Sequence, residues 1–140
     1  MALDPNRWTL KTQEAFAAAT DLARRNNNPE VMPEHLLLAL VGQPEGVVLP
    51  ILERLGVSPA VLRNQLLGAI AKLPKAYGGA EATLSRQLRD ALEAADAERA
   101  ALGDEYLSTE HLLLALADKV GAGREQILAA MREVRGAHRV

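Results

Sequence analysis

The heptapeptide EHLLLAL occurs twice in this chain, at residues 34–40 and again at residues 110–116, 76 positions apart. Seven identities in a row do not arise from composition alone, even in a leucine-rich chain. The same spacing lays Ala15 on Ala91, Phe16 on Leu92, Ala18 on Ala94 and Ala19 on Ala95, and it sets Thr9 over Ser85. A period this long, present twice, predicts a duplicated unit packed on its own copy with pseudo-twofold symmetry.

The unit is helical. Alanine and leucine fill 49 of the 140 positions, whereas valine, isoleucine and threonine together fill 17 and aromatics make up 3%. Small and straight-chain residues favour helices, and β-branched and aromatic residues favour strands, so the expected fold class is all-α. Thr9 suits the N-cap of a helix to about Arg25, stopped by Asn26-Asn27-Asn28-Pro29. Pro33 suits the first turn of a short helix ending near Val41, and a further short one is expected from about Val47 to Leu55, ended by Gly56. Ser58-Pro59 opens another, which ends before Pro74. In the second copy Ser85 caps a long helix stopped by Gly103, Ser108 caps the second EHLLLAL helix, and a last helix runs from about Arg124 to Arg135. Residues 118–123 read as loop, which leaves the second copy without a counterpart of the Val47–Leu55 helix. The expectation is seven helices in two pseudo-twofold-related repeats of about four helices, the second shortened. Both EHLLLAL helices are apolar on every side beyond the first turn, so they belong at the buried centre. One domain is expected over residues 1–140: repeat 1 at about 9–73, a junction at 74–84, repeat 2 at about 85–135, and the start of a linker at 136–140.

Charge and motif content remove whole classes of function. Sixteen basic against eighteen acidic residues give −2, and the basic residues are scattered, which argues against a nucleic-acid partner. The apolar block Leu36 to Val41 is far too short to span a bilayer. With early charge and no apolar core, MALDPNRWTL does not read as a secretory signal, and the cytoplasm is the expected compartment. No cysteine is present, so there is no thiol nucleophile or thiolate metal site. The glycine-rich phosphate loop, the HExxH zinc motif and the G-x-S-x-G elbow are all missing. Of the three histidines, His138 lies in the tail, and His35 and His111 take equivalent third positions of the buried helices. There an imidazole serves the helix start, and nearby residues are too few to complete a metal site.

What remains is binding. Each copy offers a hydroxyl at the start of its long helix, Thr9 or Ser85, and a carboxylate in the first turn of its buried helix, Glu34 or Glu110. These are either two equivalent polar notches or simply caps and first-turn acids that the helix dipole favours. The repeat has irregularities. Met32 stands at the N-cap that Ser108 fills in the second copy and cannot cap, and Leu22 is replaced at the repeat spacing by Glu98.

The paired (S/T/P)-E-H-L-L-L-A-L segments resemble the Clp N-terminal repeat, the family of N domains carried by Clp ATPases. The opening RWTLKTQEA, the Leu73-Pro74 junction with Gly78-Gly79, the stretch Gly103 to Glu110 and the closing RG-x-x-RV make it more similar to the AAA+ disaggregases of that family than to the protease partners. The resemblance implies a non-catalytic recognition domain, excised from a longer chain, that binds exposed apolar segments of unfolded or aggregated polypeptides and passes them to an ATPase ring. It implies roles in substrate engagement for Thr9, Asp104 and Glu110, and a shallow apolar groove near Leu88, Leu92 and Ala95, flanked by Asp90, Glu93, Asp96 and Glu98. In the protease-partner branch the glutamates matching Glu34 and Glu110 hold phosphorylated arginine instead, and adaptor docking is the alternative reading. No cofactor is expected in this piece; ATP and Mg are implied only for the AAA+ modules of the full-length chain, which would be hexameric, while the isolated piece is expected to be a monomer.

Overall fold

The computed structural model describes residues 4–78 and 81–137. Gly79 of the Gly78-Gly79 break and the closing His138, Arg139 and Val140 lie outside them. A short 3₁₀ turn, Pro5–Arg7, leads into Thr9, whose hydroxyl accepts the Thr12 amide at 3.2 Å and so caps α1 (Leu10–Arg25). The chain then leaves α1 through Asn27 at φ 56°, a left-handed conformation that asparagine tolerates better than most residues. After α2 (Pro33–Val41) come α3 (Val48–Leu55), ended by left-handed Gly56, and α4 (Pro59–Ala71), capped by Ser58. The second copy runs α5 (Arg86–Ala101), capped by Ser85, then α6 (Thr109–Ala115), α7 (Ala117–Val120) and α8 (Arg124–Ala137).

The described residues therefore hold eight α-helices rather than seven. The segment expected to be loop carries α7, a one-turn stand-in for α3, closed by Gly121 at φ 86°. Asp118, Lys119, Gly121 and Gly123 break any apolar period there, so the turn is visible only as a helix held against its neighbours by the buried Val120.

α2 and α6 form the centre. Leu36, Leu37 and Leu40 in α2 and Leu112 and Leu113 in α6 are fully buried. Each such leucine contributes about 1.5–3 kcal/mol relative to an exposed one. α1 packs on α2 as α5 packs on α6, and α4 packs on α2 as α8 packs on α6.

Two pairs of extended residues lock the copies together. β1 (Glu30–Val31) runs parallel to β2 (Thr83–Leu84), with Val31 opposite Leu84, and Trp8 forms an isolated parallel bridge with Leu107. The 76-residue spacing carries Val31 onto Leu107 and Trp8 onto Leu84. Residue 31 of the first copy thus meets the counterpart of residue 8 in the second, and the reverse contact is also made. The amides that follow agree: Ser85 donates to the Val31 carbonyl at 3.0 Å and Thr9 to the Leu107 carbonyl at 2.9 Å. Reciprocal contact of this kind is the signature of a twofold relation.

Candidate binding surface

The capping hydroxyls turn inward. Ser85 is fully buried, and its Oγ accepts the Leu88 amide at 3.0 Å. Thr9 is half-buried, and its hydroxyl is shared between the Thr12 amide and the Thr12 hydroxyl, 2.9 Å away. Ser85 is a cap and offers nothing to a ligand on the surface.

Leu88, Leu92 and Ala95, expected beside an apolar groove, are fully buried. Their i, i+4, i+7 spacing is the inward stripe of α5, packed on α6, so a surface ligand does not reach them. The groove lies one position round the same helix. Gln87, Asp90, Ala91 and Ala94 of α5 line a cavity of about 550 Å³ together with Met32, Pro33 and Glu34 at the start of α2 and with Ala115, Leu116, Asp118 and Lys119. Its apolar lining is Ala91, Ala94 and Ala115 with Met32, Pro33 and Leu116, and its charged lining is Glu34, Asp90 and Asp118 against Lys119.

Glu34 is the chemically distinctive member. Its Oε2 accepts Lys119 Nζ at 3.2 Å, while its Oε1 is buried with no hydrogen-bond partner among the described residues. A buried carboxylate oxygen without a donor costs about 1–3 kcal/mol, which an incoming N–H would relieve. A cleft of about 610 Å³ between α3 and α4 is larger, but its charged lining, Glu53 with Arg63 and no third charge, leaves no buried oxygen unmet.

Asp104 and Glu110 come together on the other copy, where Arg135 of α8 occupies both. Arg135 Nη2 donates to Asp104 Oδ2 at 2.7 Å and to Glu110 Oε2 at 3.0 Å, and its Nε reaches the same Glu110 oxygen at 3.1 Å. Burial pushes the Asp104 carboxyl up, but hydrogen bonds from Arg135 and His111 and the Arg135 charge outweigh it and hold the carboxyl below its ordinary value. Burial opposes the charge on Arg135 as well; the two carboxylates prevail and hold it firmly protonated. Glu34 and Glu110 are therefore not equivalent notches: one keeps a free oxygen and the other is filled from within the chain.

The histidines close the helix starts. His35 Nδ1 accepts the Met32 amide at 2.8 Å and His111 Nδ1 accepts the Ser108 amide at 2.9 Å. A backbone amide only donates, so both Nδ1 atoms are bare and both protons sit on Nε2. Those protons go to Asn28 Oδ1 at 2.9 Å and Asp104 Oδ2 at 2.7 Å. His35 thus meets the amide of Met32 itself, while the His35 amide that a capping side chain would have met donates to the Met32 carbonyl at 3.0 Å. Among the described residues no three His, Asp or Glu side chains gather as a metal site, and no helix is long and apolar enough to cross a membrane.

Glu98, the polar intruder at the Leu22 position, is gripped at both oxygens by Arg124 at the start of α8, and that hydrogen bonding draws its carboxyl below its ordinary value. Lys119 and Arg135 were not visible as site residues, because neither has a counterpart at the repeat spacing and each meets its carboxylate only through tertiary packing.

The architecture is a duplicated, mostly helical unit with a shallow acidic groove where α2, α5 and α7 meet. Residues 7–131 match the Clp repeat (R) N-terminal domain, and the chain belongs to that family, the non-catalytic accessory N domains of AAA+ ATPases. Over 144 residues it is 40% identical to the chaperone protein ClpB of Corynebacterium diphtheriae, a match covering 94% of this chain and 17% of that one. The chain thus spans less than a fifth of that relative's length. The fold is shared with the Hsp104 N-terminal domain of Candida albicans, at a TM-score of 0.78, 23% identity and coverage of 92% and 91%. It is shared too with a ClpV N-domain in complex with a VipB peptide, at a TM-score of 0.70, 23% identity and 89% of each chain.

Proposed function

We propose that this chain is the substrate-recognition N domain of a cytoplasmic ClpB-type disaggregase. It binds exposed apolar segments of unfolded or aggregated polypeptides and delivers them to the AAA+ modules of its own chain, where ATP and Mg do the work in a hexamer. The observation that carries the reading is the identity to ClpB across nearly the whole chain, far above what a shared fold requires. The α5 groove is the binding surface this reading favours. The alanines that line it accept short apolar side chains weakly and without strict selection, and its acidic lining favours segments that also carry lysine or arginine.

Ala94 is exposed and lines the groove, whereas Ala97 is exposed on the same helix and does not. Ala94→Glu lowers the affinity for reduced, unfolded casein about tenfold, equivalent to about 1.4 kcal/mol, and Ala97→Glu leaves it unchanged. Equal loss in both variants, or in neither, contradicts this surface. The alternative, docking of adaptors or phosphorylated arginine at Glu34 and Glu110, is favoured by the unpaired Glu34 Oε1 alone, since Arg135 already fills Glu110. Saturable binding of free phosphoarginine that vanishes in Glu34→Ala would select it.

A further inference from the structure

Asn28 and Asp104 stand 76 positions apart and do the same two things. Each accepts the Nε2 proton of the histidine in its own copy, and each fastens the chain at the end of that copy's last helix. Asn28 does so with a neutral bond, its Nδ2 donating to the Pro74 carbonyl at 3.1 Å, just beyond α4. Asp104 does so through charge, by holding Arg135 in the last turn of α8, with Glu110 as the second carboxylate.

The turn so held is intrinsically weak. Gly136 follows Arg135, is exposed, and has nothing within 4 Å of where a Cβ would stand. Glycine forms helix less readily than any residue but proline. Val134 in this turn is buried. The latch is also reachable by solvent: the side chains of Arg135 and Asp104 are each 29% exposed, so salt weakens it more than it weakens the core.

We propose that Asp104, Glu110 and Arg135 form an ionic latch that orders the last turn of α8 and opens without unfolding the rest of the domain. Arg135 is then a positioning residue. On the reading above, this turn is where the recognition domain meets the remainder of the chaperone, so the latch sets how stiffly the domain is carried.

Amide hydrogen exchange on the full 140-residue chain tests this. Arg135→Gln and Asp104→Asn each speed exchange across residues 133–137 about tenfold, while α1, α2 and α5 stay within about twofold of the parent. Asp104→Asn keeps an oxygen for His111, as Asn28 does for His35, so the start of α6 is retained. Raising sodium chloride to about 1 M speeds the same amides in the parent. Adding Gly136→Ala to Arg135→Gln restores most of the protection. Unchanged exchange in the last turn of both variants overturns the proposal, as does a rise shared by all helices. The readout contains no ligand, so failure of the casein experiment leaves it standing.

Discussion

At the scale of single residues, the buried imidazole of His35 gives the chain a direction in pH. Burial lowers the pKa of His35 from its ordinary 6.5, only partly opposed by the charge of Glu34. The unfolded chain therefore takes up a proton that the folded chain refuses. Stability is whole above about pH 6.5 and erodes as pH falls toward the depressed folded value. The melting temperature falls between pH 7 and pH 5, and His35→Gln shrinks that fall, since glutamine accepts the Met32 amide without titrating. His35→Ala, which opens a cavity and orphans that amide, costs about 2–4 kcal/mol. An identical pH slope in His35→Gln and the parent would refute the assignment. Glu34 separates stability from binding: Glu34→Gln removes a poorly satisfied carboxylate and changes stability by less than about 0.5 kcal/mol, yet weakens casein binding.

Among the helices, the duplication makes paired predictions. Leu37 and Leu113 are fully buried at matching places in α2 and α6, so Leu37→Ala and Leu113→Ala each cost about 2–5 kcal/mol by urea unfolding. Leu10, 70% exposed in the first turn of α1, tolerates alanine within about 0.5 kcal/mol. A large loss in only one of the leucine pair would break the equivalence of the two central helices. These helices were legible because their signals are local: threonine, serine and proline at the starts, glycine at the ends, and an apolar block too long for a surface helix. The cavity beside α5 was not legible, for the opposite reason. Leucine periodicity marks the face that faces in, and Leu88 and Leu92 obey it; a surface groove is bounded by their neighbours, Ala91 and Ala94, whose small side chains carry no periodic signal. Arg135 and Lys119 needed the folded chain, because a salt bridge across 25 or 85 residues leaves no spacing rule to read. α7 is one turn long, below what any period can reveal.

For the molecule as a whole, the two copies do not stand as independent units. Val31 pairs with Leu84 and Trp8 with Leu107, so each copy lends backbone to the other, and one hydrophobic core runs through both. Unfolding is therefore a single transition: fluorescence of Trp8, the one tryptophan, and helical circular dichroism lose their native signals at the same urea concentration. Two separated transitions would mean that the copies fold apart. A duplicated scaffold carrying an acidic groove lined in part by alanine is suited to brief and unselective capture, which is what the proposed role requires. The most direct test is to follow the amide resonances of the labelled domain while reduced casein is added to millimolar concentration. The account predicts fast-exchange shifts at Glu34, Gln87, Asp90, Ala91 and Ala94; resonances that stay still there, or that move only on α3 and α4, contradict it.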